Sequence, residues 1–198
     1  MKSREHNYSK FLLPKVFAFV LSCIPHTNVL SDDVLWNTIK SQQNSIVLMR
    51  NSHLDRSSGS PVHWDENGNC SGEALLSKEG EEYALRIGQM FRDQGIKPIV
   101  ISSPMCRCVQ TAVLAFDSDF VTDPLLREIA SADSERYDSF LEKAKELLVA
   151  SRGDIPVIFV SHQPNIEALT FELISVTELL LGTINDSGEI EVLDKYEL

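Results

Sequence analysis

The chain has 198 residues, 43% of them hydrophobic, with 18 Lys and Arg set against 29 Asp and Glu for a net charge of −11. This is the length of a single domain able to bury a substantial core. The composition excludes a disordered segment, a fibrous chain and a disulfide scaffold. The acidic balance excludes a nucleic-acid clamp, which needs a basic stripe to displace counterions. A phosphate-ester ligand survives these exclusions, because a few local arginines can override the global sign.

The charge is unevenly spread. Lys2, Arg4, Lys10 and Lys15 face only Glu5 within residues 1–24, so this stretch is net +3 and the remainder −14. The basic segment runs into Val16–Ile24, too short to span a bilayer but of the length of a secretory apolar region. Val20-Leu-Ser-Cys23 is a loose lipobox, although Pro14 interrupts the approach and no A-x-A site follows. Residues 1–30 therefore read as a signal-like or lipoprotein-like leader and residues 31–198 as the domain. The expected location is exported, either periplasmic or held as a membrane-anchored lipoprotein, with an uncleaved arm on a cytoplasmic protein as the alternative.

Ser31-Asp-Asp33 can cap a short helix with Val34, Leu35 and Ile39 on one side. Ser45–Met49 is a continuous apolar run, the pattern of a fully buried strand. The polar stretch from Asn51 to Leu76 is long for a loop in a compact domain, which points to function. Ser77 caps a helix with Ala84, Ile87, Met90 and Phe91 at helical spacing, closed by Gly95. Ile96–Ile101 is a second buried strand. Ser102-Ser-Pro104 is expected to open a helix with Val109, Ala112, Val113 and Phe116 on its apolar face. A further helix carries Tyr137, Phe140, Leu141, Ala144, Leu147 and Leu148. Pro156–Val160 is a third buried strand, followed by a helix with Pro164 in its first turn. Residues 179–184 and 189–193 flank a polar turn and predict a hairpin.

This alternation predicts a three-layer, doubly wound α/β sheet, mostly parallel, with an antiparallel hairpin at one edge. Ligands of such sheets bind beyond the carboxyl ends of the strands. Those ends read Met49-Arg50-Asn51-Ser52-His53, Ser102-Ser-Pro-Met-Cys-Arg107 and Ser161-His162. Two arginines and a histidine thus converge on one crevice of an acidic protein, and a guanidinium fork matches phosphate oxygens. His53-x-Asp55 and His63-x-Asp65 lie in the polar loop without zinc spacing, and Asp65–Asn69 lacks the alternating ligands of a calcium loop, so no metal is expected.

Arg50-Asn51-Ser52 after an apolar strand, Ser102-Ser-Pro-x-x-Arg107-x-x-Gln110-Thr111-Ala112, and Val160-Ser161-His162 before a helix resemble the three signature blocks of the histidine phosphatase (phosphoglycerate mutase-like) superfamily. The resemblance covers about residues 34–195. Asn69-Cys70 and Cys106 look more like its exported branch, which includes lipopolysaccharide-core phosphatases. It implies metal-independent phosphomonoester hydrolysis without a cofactor, on a small phosphorylated substrate, with no nucleic-acid partner and with a membrane tether through the leader. Arg50 and Arg107 would clamp the phosphate, and His162 would donate to its oxygens. Glu128 of Leu126-Arg-Glu128 would be the general acid, with Asp123 or Asp133 as alternatives. The family's nucleophilic histidine falls on Asn51, whose amide lone pair is delocalised and cannot form a phospho-enzyme. That leaves a drifted dead site, a trap substitution, or a residue that still hydrogen-bonds phosphate. His53 is a substitute nucleophile only if the loop folds back. In this fold Cys70 and Cys106 would lie near the pocket rim, where a disulfide could tie the long loop to the second helix. Cys108 is the alternative partner for Cys70.

Overall fold

The computed structural model describes residues 29–117, 119–130 and 132–198. The leader expected over residues 1–30 lies almost wholly outside them. A six-stranded sheet has the order β5-β4-β6-β1-β7-β8. It is built from β1 (Ser45–Arg50), β4 (Ile99–Ser102), β5 (Val121–Thr122), β6 (Val157–Ser161), β7 (Glu178–Ile184) and β8 (Ile190–Glu197). β4, β5, β6 and β1 pair in parallel, and the β7–β8 hairpin adds antiparallel strands at the β1 edge. A separate two-stranded ladder joins β2 (Leu54–Asp55) to β3 (Leu75–Leu76).

Alternate residues of β1 bury opposite faces, as strand geometry requires. Val47 and Met49 pack with Leu35, Trp36 and Ile39 of α1 (Val29–Ser41), Tyr83, Ile87 and Phe91 of α2 (Lys78–Asp93), and Cys108 and Ala112 of α3 (Cys106–Phe116). Ile46 and Leu48 pack with Phe140, Ala144 and Leu148 of α4 (Ser134–Ala150) and Ile166 of α5 (Gln163–Thr170). These are the three expected layers. Among the described residues no helix is long and apolar enough to cross a membrane.

Several local expectations need correction. The polar stretch after β1 is not wholly irregular, since β2 and β3 pair at its two ends. The second strand begins at Ile99 rather than Ile96, because the Ile96 N–H closes α2 onto Phe91 O at 3.0 Å and Pro98 has no N–H to give. Ser102-Ser-Pro104 does not open a helix: α3 begins at Cys106. Its buried face carries Arg107, Thr111 and Ala115, while Val113 is 40% exposed. The helix is rotated from the apolar reading because its inner face serves the crevice as well as the core. β5 and a 3-10 turn at Pro124–Leu126 were not foreseen; both are too short to show periodicity.

Candidate active site

The parallel register brings the three expected strand ends together. Arg50 pairs with Ser161 across β1 and β6, and Ser102 pairs with Val160 across β4 and β6. Beyond the ladder, the Asn51 N–H donates to Ser161 O at 3.0 Å and the Ser103 N–H to Val160 O at 3.0 Å. The chain therefore leaves each strand into one cavity of about 310 Å³, lined by Arg50, Asn51, Arg107, Glu128, His162 and Glu167 among others. Of the residues expected at the site, Arg50, Asn51, Arg107, Glu128 and His162 line it and His53 does not.

His53, the substitute nucleophile only if the loop folds back, does not line the cavity. Ser52 Oγ donates to Gly80 O at 2.8 Å, and the Ser77 N–H donates to His53 O at 2.9 Å. A Cβ on Gly80 would stand 2.1 Å from His53 O, so this close approach requires glycine. With its backbone fixed against α2, His53 sets its ring edge-on to Tyr83, centroids 5.5 Å apart.

Arg107 is 2% exposed, a buried cation at the heart of the site. Its Nη2 donates to Glu128 Oε2 at 3.1 Å and lies 2.9 Å from His162 Nδ1. Nη1 is buried and has no partner. Arg50 Nη1 donates to Gln163 Oε1 at 3.1 Å and to Ile174 O at 3.3 Å, and its Nε is likewise buried without a partner. Burial lowers the Arg50 pKa, and neighbouring Arg107 lowers it further, while Glu128 pulls it back. Arg107 alone of the two is paired with a carboxylate among the described residues, and both guanidinium groups hold idle donors, the deficit that an oxyanion fills.

Burial, then Arg107 and Arg50, hold His162 well below the usual histidine range, so the ring is neutral. Arginine can only donate, so Nδ1 accepts from Arg107, and the network assigns the proton to Nε2. Nε2 then donates to Ser103 Oγ at 2.7 Å. An unfolded histidine takes a proton near pH 6.5 whereas the folded one resists it. The unfolded state binds more protons below that pH, so stability falls as pH falls through 6.5 toward the depressed folded value. Denaturant melts between pH 7 and 5 should show His162→Gln removing a slope of up to about 1.4 kcal/mol per pH unit. An unchanged slope would show that His162 charges freely in the native state.

Glu128 sits where the resemblance puts the general acid, and the alternatives are committed elsewhere. Asp123 accepts the Leu125 N–H at 2.8 Å and Asp133 accepts the Arg136 N–H at 2.9 Å, each as a helix cap. The backbone around Glu128 is held from both sides. Asn165, fully buried on α5, accepts the Ile129 N–H at 3.2 Å and donates to Arg127 O at 3.1 Å, while Arg136 of α4 donates to Glu128 O.

Sequence reasoning missed the residues that build the site from outside it. Glu73, 1% exposed, accepts the N–H of Asp65 and of Cys106, each at 2.8 Å, and so caps α3, whose N-cap Met105 offers no side-chain acceptor. Nothing in the Cys70-Ser-Gly-Glu73 stretch distinguishes that glutamate from a solvated one. Ser103 and Gln163 had a signal, since Ser103 follows β4 directly and Gln163 follows β6 after His162. A disulfide joins Cys70 to Cys106 beside this cap, and Cys108 is a free, buried thiol pushed up to about 12 by burial.

The sequence model of the histidine phosphatase superfamily (branch 1) matches residues 62–147. Among solved structures, the protein histidine phosphatase SixA complexed with tungstate is 15% identical with a TM-score of 0.53, covering 77% of this chain and 96% of that one. The product of open reading frame Rv3214 from Mycobacterium tuberculosis is 20% identical with a TM-score of 0.51, covering 76% and 96%. Phosphoserine phosphatase from Entamoeba histolytica, in complex with 3-phosphoglyceric acid, is 15% identical with a TM-score of 0.51, covering 78% and 97%. No curated protein matches the chain. At these identities the solved structures speak for the fold, which is that of the histidine phosphatases among them, and the matched sequence model extends that likeness to the sequence over residues 62–147.

Proposed function

We propose that the protein binds phosphate monoesters in the cavity between Arg50, Arg107 and His162, on a scaffold whose ancestral chemistry is metal-independent phosphomonoester hydrolysis. One observation carries this reading: the buried Nη1 of Arg107 has no partner among the described residues. A desolvated guanidinium donor left idle costs more than a made bond returns, and a tetrahedral oxyanion bridging Arg107 and Arg50 removes that cost. The tungstate held by SixA is such an oxyanion. Phosphate and tungstate should bind with one site per chain in calorimetry. Arg107→Ala should weaken phosphate by about 100-fold, the worth of a charge-assisted bidentate contact. Failure of the wild type to bind either anion would overturn the assignment.

A second reading, a phosphate-ester-binding module without turnover, is favoured by Asn51, which lines the cavity and falls where the sequence resemblance puts the nucleophilic histidine. The pocket then still selects its ligand, but Arg107, His162 and Glu128 act only as ligands to it. Export is part of the proposal. It is supported by the leader pattern in residues 1–30 and by the Cys70–Cys106 disulfide, a bond that persists outside reducing compartments.

A further inference from the structure

The anion cavity does not end at the phosphate. A second cavity of about 350 Å³ shares Ala130, Pro164 and Glu167 with it, and a third of about 390 Å³ shares Tyr137, Ala168 and Phe171 with the second. One wall is a single face of α5 and its cap, because residues 164, 167, 168 and 171 fall at helical spacing. The facing wall is α4, where Tyr137, Leu141 and Lys145 recur every fourth residue and span about 12 Å at the rise of an α-helix. The β7–β8 turn, through Gly188 and Glu189, closes the far end.

The walls are apolar where solvent would favour polar side chains. Phe171 is 92% exposed, and it caps α5 in the left-handed conformation at φ 61°, which bulky residues rarely adopt. Tyr137 is 38% exposed and Leu173, just beyond Phe171, is 54% exposed. Leu141 and Ala168 pack against the core, but Tyr137, Phe171 and Leu173 belong to neither core cluster. The charges are placed with equal selectivity. Glu167 stands where the anion cavity opens into the groove, with Glu128 behind it, so a second anionic group there meets repulsion. Lys145 at the far end is occupied by Glu189 at 3.3 Å.

Resting on the phosphate-binding reading above, we propose that this groove holds the apolar alcohol moiety of the ligand. The ligand class is then a monoester of an alkyl or arylalkyl alcohol with one anionic end, rather than a nucleotide, a bisphosphate or a sugar phosphate. The phosphate fills the idle donors of Arg107 and Arg50, and the hydrocarbon lies between α4 and α5 against Tyr137 and Phe171.

The test compares methyl phosphate with octyl phosphate, kept below its micelle concentration, by calorimetry on the full chain. Octyl phosphate should bind at least about tenfold more tightly, since the groove removes apolar surface from water. Combining Phe171→Asn, which tolerates the left-handed backbone, with Tyr137→Gln, which keeps the helix, should bring the two ligands within about threefold while methyl phosphate binds as before. Equal affinity of the two ligands for the wild type would overturn the groove and leave the anion cavity standing. Octyl phosphate binding that survives Arg107→Ala would overturn it too, by placing the ligand elsewhere. So would a dimer, seen in sedimentation, that Phe171→Asn dissolves, because the face would then belong to a second copy. Binding of neither ligand to the wild type would overturn the anion cavity, and this inference with it.

Discussion

Asn51→His should raise kcat/KM on a generic aryl phosphate by at least about 10³-fold if, as proposed, Asn51 leaves the wild type only the positioning and electrostatic part of catalysis. The geometry favours gain of function by one substitution. Asn51 Nδ2 donates to Ser52 O at 3.0 Å. An imidazole at this position can make the same bond through Nδ1–H, which directs the Nε2 lone pair into the cavity where, on the proposed function, Arg50 and Arg107 would hold the phosphate. Arg107 and neutral His162 already line the cavity, and Glu128, the proposed proton donor to the leaving group, has its backbone braced by Asn165 and Arg136. Rapid acid and alkaline quench should trap an alkali-stable, acid-labile phosphoryl group on the variant and none on the wild type. Robust wild-type turnover with no gain in the variant would show that the pocket uses water directly and that Asn51 is not a lesion.

The contrast between Asn51 and His53 also shows what a sequence can and cannot convey. Asn51 is legible because its position follows from β1, a buried run whose end must open on the crevice. His53, two residues on, is governed by the approach of Gly80 and Ser77 of a different element, a contact across about 25 residues that no local pattern encodes. The same distinction separates Arg107 from the helix that carries it. The arginine was legible from its position after a strand, but the start of α3 depends on a carboxylate from Glu73, 33 residues upstream, and so was misplaced. Layers and strand order follow from buried runs. The bracing of Glu128 by Asn165 does not, since a buried asparagine on a helix looks in sequence like a surface one.

Reduction of Cys70–Cys106 should lower stability by about 4 kcal/mol, the loop-closure entropy of a 36-residue crosslink in the chain-entropy account. For a domain of this size that corresponds to a fall in Tm of about 10 °C or more. The effect should reach the site as well as the melt. Cys106 opens α3, its N–H is capped by Glu73, and the next residue is Arg107. Freed of the crosslink, the long loop holds Glu73 against α3 only through its own packing, and the Arg107 fork loses part of its preorganisation. Phosphate should therefore bind more weakly to the Cys70→Ser, Cys106→Ser double variant than to the wild type, and Asn51→His in that background should lose part of its gained rate. Thiol titration provides the control. Cys108 is buried with its thiol pushed up to about 12, so in a Cys23→Ser background new reactivity under native conditions after reduction reports Cys70 and Cys106. A Tm unmoved by reductant, with both thiols titrating free, would show that Glu73 alone is enough to anchor the loop.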